Sequence, residues 1–253
     1  MKIYEFCFSP TGGTKKVADI LAGGLQGDIV PVNLTDYKAQ FQNLTLNRED
    51  IAIVAVPSYG GRVPAIAVER LAMLNGNNIR TVLVCVYGNR AYEDTLLELE
   101  DTVKQAGFHV IAAVAAIAEH SIARQFASGR PDMKDEEQLS DFAEQIRDKL
   151  SDGNISIPEI PGNRPYRKAG GTCMIPKPMK GCTNCKICAK ECPVQAIDYE
   201  NTKKVNKKIC ISCMRCISVC PHSVRRLNPV MLSAAGIALK KVCSERKECE
   251  LFI

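Results

Sequence analysis

The motif Cys-x-x-Cys-x-x-Cys-x-x-x-Cys-Pro is written twice in this chain. The first copy is Cys182, Cys185, Cys188, Cys192 and Pro193; the second, 28 residues on, is Cys210, Cys213, Cys216, Cys220 and Pro221. Three thiolates two residues apart can wrap one loop around three irons of a cubane, and a fourth behind a longer spacer points away to another cluster. Eight such ligands predict two [4Fe-4S] clusters. Structural zinc is the competing chemistry. Zinc ribbons close on two Cys pairs across a loop, which leaves the third Cys of each copy and the following Cys-Pro without a purpose.

Both copies resemble in full the motif of bacterial two-cluster ferredoxins. That resemblance implies crossed ligation, with Cys182, Cys185, Cys188 and Cys220 on one cluster and Cys210, Cys213, Cys216 and Cys192 on the other. The crossing would staple the two halves of a small α+β domain together.

A second chemical signature opens the chain. The β-rich residues 2–8 run into Ser9-Pro10-Thr11-Gly12-Gly13-Thr14, and Val17, Ala18, Leu21 and Leu25 then follow at helical spacing. A strand, a loop of hydroxyls and glycines, and a helix N-terminus form an anion cradle: glycines let backbone N–H groups approach, hydroxyls donate, and the helix dipole favours negative charge. No Gly-Lys-Ser/Thr closes it and no Gly-x-Gly-x-x-Gly is present, so neither a Walker loop nor a dinucleotide fingerprint is written here. It resembles the flavodoxin phosphate loop, Ser/Thr-x-Thr-Gly-x-Thr, with Ser9, Thr11, Gly12 and Thr14 at the matching positions and Gly13 between them.

The elements that must position this loop alternate. Strands are expected at residues 29–32, 51–56, 81–86 and 110–117, and helices at 65–74, 92–105 and 136–150. Strands separated by helices predict a doubly wound parallel sheet. With five strands it fits the flavodoxin-like order 2-1-3-4-5, whose ligand lies outside the carboxyl ends of the strands. The loop after the third strand carries Ser58, Tyr59, Gly60, Gly61 and Arg62; that after the fourth carries Tyr87, Gly88, Asn89, Arg90 and Tyr92. Tyr with Gly suits a flat aromatic ligand, and Gly60 tolerates the positive φ that a reorienting peptide needs. The cofactor implied is FMN. The chain has no Trp, so Tyr59 is expected to take the stacking place that Trp fills in many flavodoxins. Arg62 and Arg90 beside the flavin would favour its anionic reduced form and make its couple less negative than in simple flavodoxins. His120, after the fifth strand, is a further candidate to touch flavin or substrate.

Residues 151–180, rich in Pro and Gly, read as a linker lying along the first domain, with Cys173 a free thiol. The ferredoxin unit is expected at 181–227 and a C-terminal packing tail at 228–253, behind an FMN domain at 1–150. The net charge of +5 hides an asymmetry: residues 1–160 carry 15 Lys and Arg against 22 Asp and Glu, and residues 161–253 carry 18 against 6. The basic half offsets the negative charge of cubanes and would steer an acidic redox partner. It lacks the interleaved aromatics of a nucleic-acid surface. Thirteen Cys, an odd number, fit a reducing compartment. No apolar run approaches the roughly 18 residues that span a bilayer and no signal-peptide core is visible, so a cytoplasmic protein without membrane contact is expected. Low-potential cubanes suggest an anaerobic host.

Taken whole, residues 1 to about 227 resemble the flavodoxin-ferredoxin fusion proteins of anaerobic bacteria and archaea. The resemblance implies an iron-sulfur flavoprotein that passes electrons between an external carrier and FMN through two [4Fe-4S] clusters, as an oxidoreductase. The alternative is a non-enzymatic carrier that shuttles electrons between other redox proteins. The partner is a redox protein or a small-molecule donor or acceptor, and a homodimer could bring flavin and clusters together.

Overall fold

The computed structural model describes residues 1–170 and 174–253; the free thiol expected at Cys173 lies outside them. Five parallel strands form in the expected places: β1 (Lys2–Cys7), β2 (Asp28–Asn33), β3 (Ile51–Pro57), β4 (Arg80–Tyr87) and β5 (His109–Ile117), in the order β2-β1-β3-β4-β5. They are near-continuous apolar runs because both faces are covered. Helices α1 (Gly13–Gly24) and α4 (Met133–Ser151) close one face, with Val17, Leu21, Leu139 and Ile146 packed on Ile53, Val84 and Val114. Helices α2 (Ala65–Leu71) and α3 (Thr95–Gln105) close the other, with Leu71, Leu96 and Leu99 on Phe6, Val54 and Leu83. Each large apolar side chain buried in this way contributes about 1.5–3 kcal/mol.

A sixth strand, β8 (Glu250–Phe252), pairs antiparallel with β5, setting Ala113 opposite Phe252 and Ala115 opposite Glu250. It extends the expected five-stranded sheet and gives the C-terminal tail a second role besides packing. Without it β5 would present an unpaired edge of alanines and valines, the kind of edge that invites aggregation. Three residues next to a charged run carry too little periodicity to be read as a strand.

Residues 163–167 of the expected linker are bonded to α3 and the residue before it, whereas residues 177–178 pair with the Cys-rich module. Asp94 accepts from the backbone N–H groups of Asn163 (2.9 Å) and Arg167 (2.6 Å), and Asp101 holds the Arg164 guanidinium at 2.9 and 2.6 Å. Upstream of this strap, Lys149 Nζ donates to the carbonyls of Ile111 and Ser156, both at 2.8 Å.

The Cys-rich module contains α5 (Ile187–Lys190), α6 (Arg215–Ser218) and the strand pair β6 (Lys177–Pro178) and β7 (Arg225–Arg226). Its repeat is visible in the backbone. Asn184, Lys186 and Gln195 have positive φ, and so do Ser212, Met214 and Ser223, each 28 positions later. Its core is small, built on Ala189, Cys192, Ala196 and Ile197, so the module cannot rest on apolar burial alone. Beyond it, α7 (Pro229–Cys243) is capped by Asn228, whose side chain accepts from the N–H groups of Val230 (2.9 Å) and Met231 (3.3 Å).

The segment joining α7 to β8 is anchored by Arg246. Its guanidinium donates to Asp132 at 2.7 and 3.0 Å and to Asp135 at 2.9 Å. Asp135 is fully buried and is also held by Arg130. Arg246 keeps Asp132 ionised far below the usual carboxylate range. A depressed carboxylate stabilises the fold above its unfolded pKa of about 4, and that contribution drains away as pH falls toward the folded value. Arg246→Ala should therefore cost about 1 kcal/mol near neutral pH, a figure discounted for partial exposure. In thermal melts the gap between variant and wild type should narrow as pH is lowered from about 4 toward about 2; a gap independent of pH would refute this account.

Candidate cofactor site

The phosphate-type loop is shaped by its own hydroxyls. Thr35 Oγ1 accepts from the Ser9 N–H (2.9 Å) and Ser9 Oγ accepts from the Lys15 N–H (2.9 Å). Gly12, with φ +96°, turns the chain into α1 through the left-handed region. A Cβ at Gly13 would stand 3.0 Å from that of Ala118, so the loop end lies tight against the end of β5. Lys15 directs its ammonium inward, to the buried Glu5 (3.2 Å) and to Asp19. The donors this loop leaves for an anion are backbone N–H groups and the hydroxyls of Ser9, Thr11 and Thr14.

A small cavity of about 70 Å³ lies over the loop, walled by Thr11, Gly13, Thr14 and Ser58 among others. A larger one of about 700 Å³ adjoins it and shares Ser58, Tyr59, Tyr87, Gly88, His120 and Ser121 as wall. Together they follow the carboxyl ends of β1, β3, β4 and β5, where a doubly wound sheet places its ligand. Sequence reasoning missed the roof of the larger cavity. It is the stripe Met231, Ala234, Ala235, Ala238 and Leu239 of α7, joined by Met174 and by Cys210, Ile211 and Ser212 of the second Cys motif. The i, i+3, i+4, i+7, i+8 spacing of that stripe was a readable signal of a helix face turned toward something apolar.

Of the expected flavin residues, Ser58, Tyr59, Gly60, Tyr87, Gly88, Arg90 and His120 line the large cavity. Gly61, Arg62, Asn89 and Tyr92 do not. Arg62 donates to Glu98 at 2.7 and 2.6 Å and to the Arg167 carbonyl at 2.7 Å, and lies 5.0 Å from the Tyr166 ring centroid. The strap has taken it. A Cβ on Gly61 would run into Glu93 and Arg167. Asn89 is buried and donates to the carbonyls of Cys243 and Glu245, both at 2.7 Å, so it caps the end of α7. Tyr92 packs on Tyr87 with ring centroids 5.3 Å apart and bonds Glu250 of β8. Arg90 is paired with Glu93. The two free positive charges expected beside the flavin are thus both neutralised, and the expectation of a raised flavin couple loses its basis. Loop polarity marks these side chains as functional; the strap and tail that engage them lie more than 60 residues away.

Tyr59 stands on a tight turn. Its N–H donates to the Arg62 carbonyl (2.9 Å) and its carbonyl accepts from the Arg62 N–H (3.3 Å), with Gly60 at φ +63° and Gly61 at φ +83° between them. A Cβ on Gly60 would run into the Gly170 carbonyl oxygen, so only glycine passes under the strap there. Burial pushes the Tyr59 hydroxyl well above its ordinary pKa, and the nearby Cys213 thiol pushes the same way. Tyr59 thus borders both the cavity and the second Cys motif. His120 Nδ1 accepts from the N–H groups of Ile122 (3.2 Å) and Ala123 (3.1 Å), which places the ring proton on Nε2. Burial, aided by the charge of Arg90, lowers its pKa, so it is neutral at pH 7.

The cysteines sort into two rings. One small cavity is walled by Cys182, Cys185, Cys188 and Cys220, and another by Cys210, Cys213, Cys216 and Cys192. These are the crossed sets that the ferredoxin resemblance implies. Among the described residues no Cys, His or carboxylate groups converge in threes on a single point. A cubane takes one thiolate at each corner iron, and four cysteines line each of these cavities. The polar wiring also suits an anionic group. The Ala196 N–H points at Cys192 Sγ (3.3 Å). Burial opposes ionisation of Cys220, but the N–H groups of residues 222–225 outweigh it and draw its pKa down. Nε of Arg215 and both Nε and Nη2 of Arg225 are buried with no protein partner.

The second ring abuts the first domain. Arg215 Nη1 donates to the Pro10 carbonyl (3.3 Å) and Nη2 to Glu191 (2.6 Å), while Arg70 Nη2 reaches the Pro193 carbonyl (2.7 Å). Cys210 walls both this ring and the large cavity. The first ring lies outward, with Cys185 exposed.

Comparison with known proteins agrees on the Cys-rich region. Residues 181–225 match the family model of the 4Fe-4S dicluster domain. A tetrathionate reductase subunit from Archaeoglobus fulgidus is 36% identical over 83 residues, 32% of this chain, and the matched region spans 38% of that protein's length. Among solved structures, a flavodoxin from the domain Archaea is 14% identical, covering 60% of this chain and 99% of its own, at a TM-score of 0.44. The Streptococcus pneumonia TIGR4 flavodoxin is 24% identical, covering 58% and 97%, at a TM-score of 0.38. Residues 181–225 thus match a 4Fe-4S dicluster domain, and the sheet before them has the flavodoxin-like strand order. Among the described residues no helix is long and apolar enough to cross a membrane.

Asn89→Ala removes two hydrogen bonds to backbone carbonyls and leaves those carbonyls to find water. It should cost about 2 kcal/mol, read as a fall of roughly 4–8 °C in the thermal midpoint. A fall below about 1 °C would mean that Asn89 does not hold the roof helix.

Proposed function

We propose that this chain is an iron-sulfur flavoprotein that binds one FMN and two [4Fe-4S] clusters and passes electrons between an external carrier and the flavin, as an oxidoreductase. The carrying observation is that Cys210 belongs at once to the wall of the second cysteine ring and to that of the large cavity. The cubanes supply one-electron steps and FMN supplies one- or two-electron chemistry, which makes the fusion a converter between them.

The chain's own residues have separate tasks. Thr11, Gly12, Gly13 and Thr14 hold the phosphate; Tyr59 and Tyr87 bound the ring system; His120 offers a neutral Nε2–H donor at the cavity wall. The apolar stripe of α7 borders the cavity on the side away from the sheet, and a cavity bordered on several sides favours a small-molecule reactant over a protein docking on an open flavin edge. That supports the oxidoreductase over the plain carrier. A redox protein is the fitting electron donor or acceptor for the outward ring, where Cys185 is exposed beside Lys186, and an acidic face on it would be steered by the basic module.

Anaerobic purification with iron, sulfide and FMN analysis tests the reading. About eight irons and one FMN are expected per chain, with the flavin reduced through the clusters on titration. About four irons would end the two-cluster assignment. Cys182→Ser should lose one cluster, and unchanged iron content would refute its role as ligand. Gly12→Ala forces a side chain into the left-handed region and should weaken FMN binding at least about tenfold while iron content stays full; unchanged affinity would remove the phosphate from that loop.

A further inference from the structure

Arg225 is the first residue of β7 and is only 2% exposed. Its Nη1 donates to the Thr202 carbonyl (3.0 Å) and to Cys188 Sγ (3.5 Å). Its Nε and Nη2 are buried with no protein partner. Among the described residues no carboxylate forms an ion pair with it, whereas the other arginine of the module with an orphaned Nε, Arg215, is paired with Glu191. Arg225 also stands in the walls of both cysteine rings. The guanidinium therefore faces the second ring as well as Cys188 of the first.

A guanidinium taken out of water with no anion beside it is strongly unfavourable. The fold would not keep it unless something anionic filled the spaces it borders. A [4Fe-4S] cubane with four thiolates would be such an anion, and in the two-cluster reading, on which this inference rests, the cysteines of both cavities that Arg225 lines would each hold one.

We propose that Arg225 is the shared counter-ion of the two clusters and holds both of their reduction potentials up together. Each reduction takes one electron from the external carrier and adds one negative charge to a cluster. A fixed positive charge beside the cluster favours the reduced state. Because the charge is shared, it raises both couples, so they stay matched and an electron can cross in either direction without a large step. The N–H groups that lack protein partners are the donors available to cluster and thiolate sulfur, and such hydrogen bonds raise the potential in the same sense.

The test is a redox titration of the purified, cluster-loaded chain followed by EPR, which resolves the two reduced clusters. Wild type holding about eight irons establishes the two-cluster reading by itself; about four irons would fault that reading and take this inference with it, before any variant is made. Given that full complement, Arg225→Gln should make reduction of both clusters at least tenfold less favourable, a shift of about 59 mV to more negative potential in each midpoint. A glutamine variant with full iron and unchanged midpoints, or with only one midpoint lowered, overturns the proposal. Should the glutamine variant lose iron, Arg225→Lys decides. It keeps the charge, so full iron with both midpoints within tenfold of wild type supports the counter-ion. A lysine variant that loses iron, or that lowers its midpoints as glutamine would, shows that shape and not charge matters, and overturns it.

Discussion

A module whose buried core is little more than two alanines, an isoleucine and a cysteine cannot choose its own place against a larger domain. It is held at both ends. Upstream, Asp94 and Asp101 of the flavodoxin-like domain fix residues 163–167 by charged hydrogen bonds; downstream, β8 adds itself to the sheet edge and Arg246 locks onto the start of α4. Between these anchors the chain has little freedom in where it can set the cysteines. Arg70 and Arg215 then dock the module through carbonyls of Pro193 and Pro10. Backbone carbonyls as acceptors tie the docking to main-chain position and make it indifferent to which side chains surround it.

This double anchoring explains how the large cavity is built from distant parts of the chain. The floor comes from β1, β3, β4 and β5, one wall from the second Cys motif, and the roof from α7. None of these surfaces is closed alone. The strap also has a local effect at Gly60, where the Gly170 carbonyl passes so close that no side chain could fit. Linker and flavin-type loop are therefore matched to each other at Gly60, as they are at Gly61 and Arg62 against Arg167.

Much of this was legible in the sequence, for physical reasons. Strands buried on both faces must be apolar throughout, and helices between them must show a 3.6-residue period, so the parallel sheet followed from pattern, while its strand order came from the fit to the flavodoxin-like arrangement. Cysteine spacing is dictated by the size of the group the thiols surround, so it survives any reading of the fold. What stayed hidden was competition for polar side chains. Arg62, Asn89 and Tyr92 sit in the right loops with the right chemistry, yet Glu98, the Cys243 carbonyl and Glu250 claim them. Partners so remote in sequence leave no local trace. The three residues of β8 were hidden for another reason: too short to show alternation, they become a strand only because β5 supplies an edge.

The paired left-handed residues 28 positions apart give the Cys-rich module two near-equivalent halves. An isolated palindrome of that kind has no front and no back. Here one half is pressed against the flavodoxin-like domain, with Cys213 only 8% exposed, while the other leaves Cys185 open to solvent. Polarity thus comes from insulation and not from shape. A duplicated unit, symmetric in its own backbone, has acquired an inside terminal and an outside terminal solely through what was packed over one of its ends.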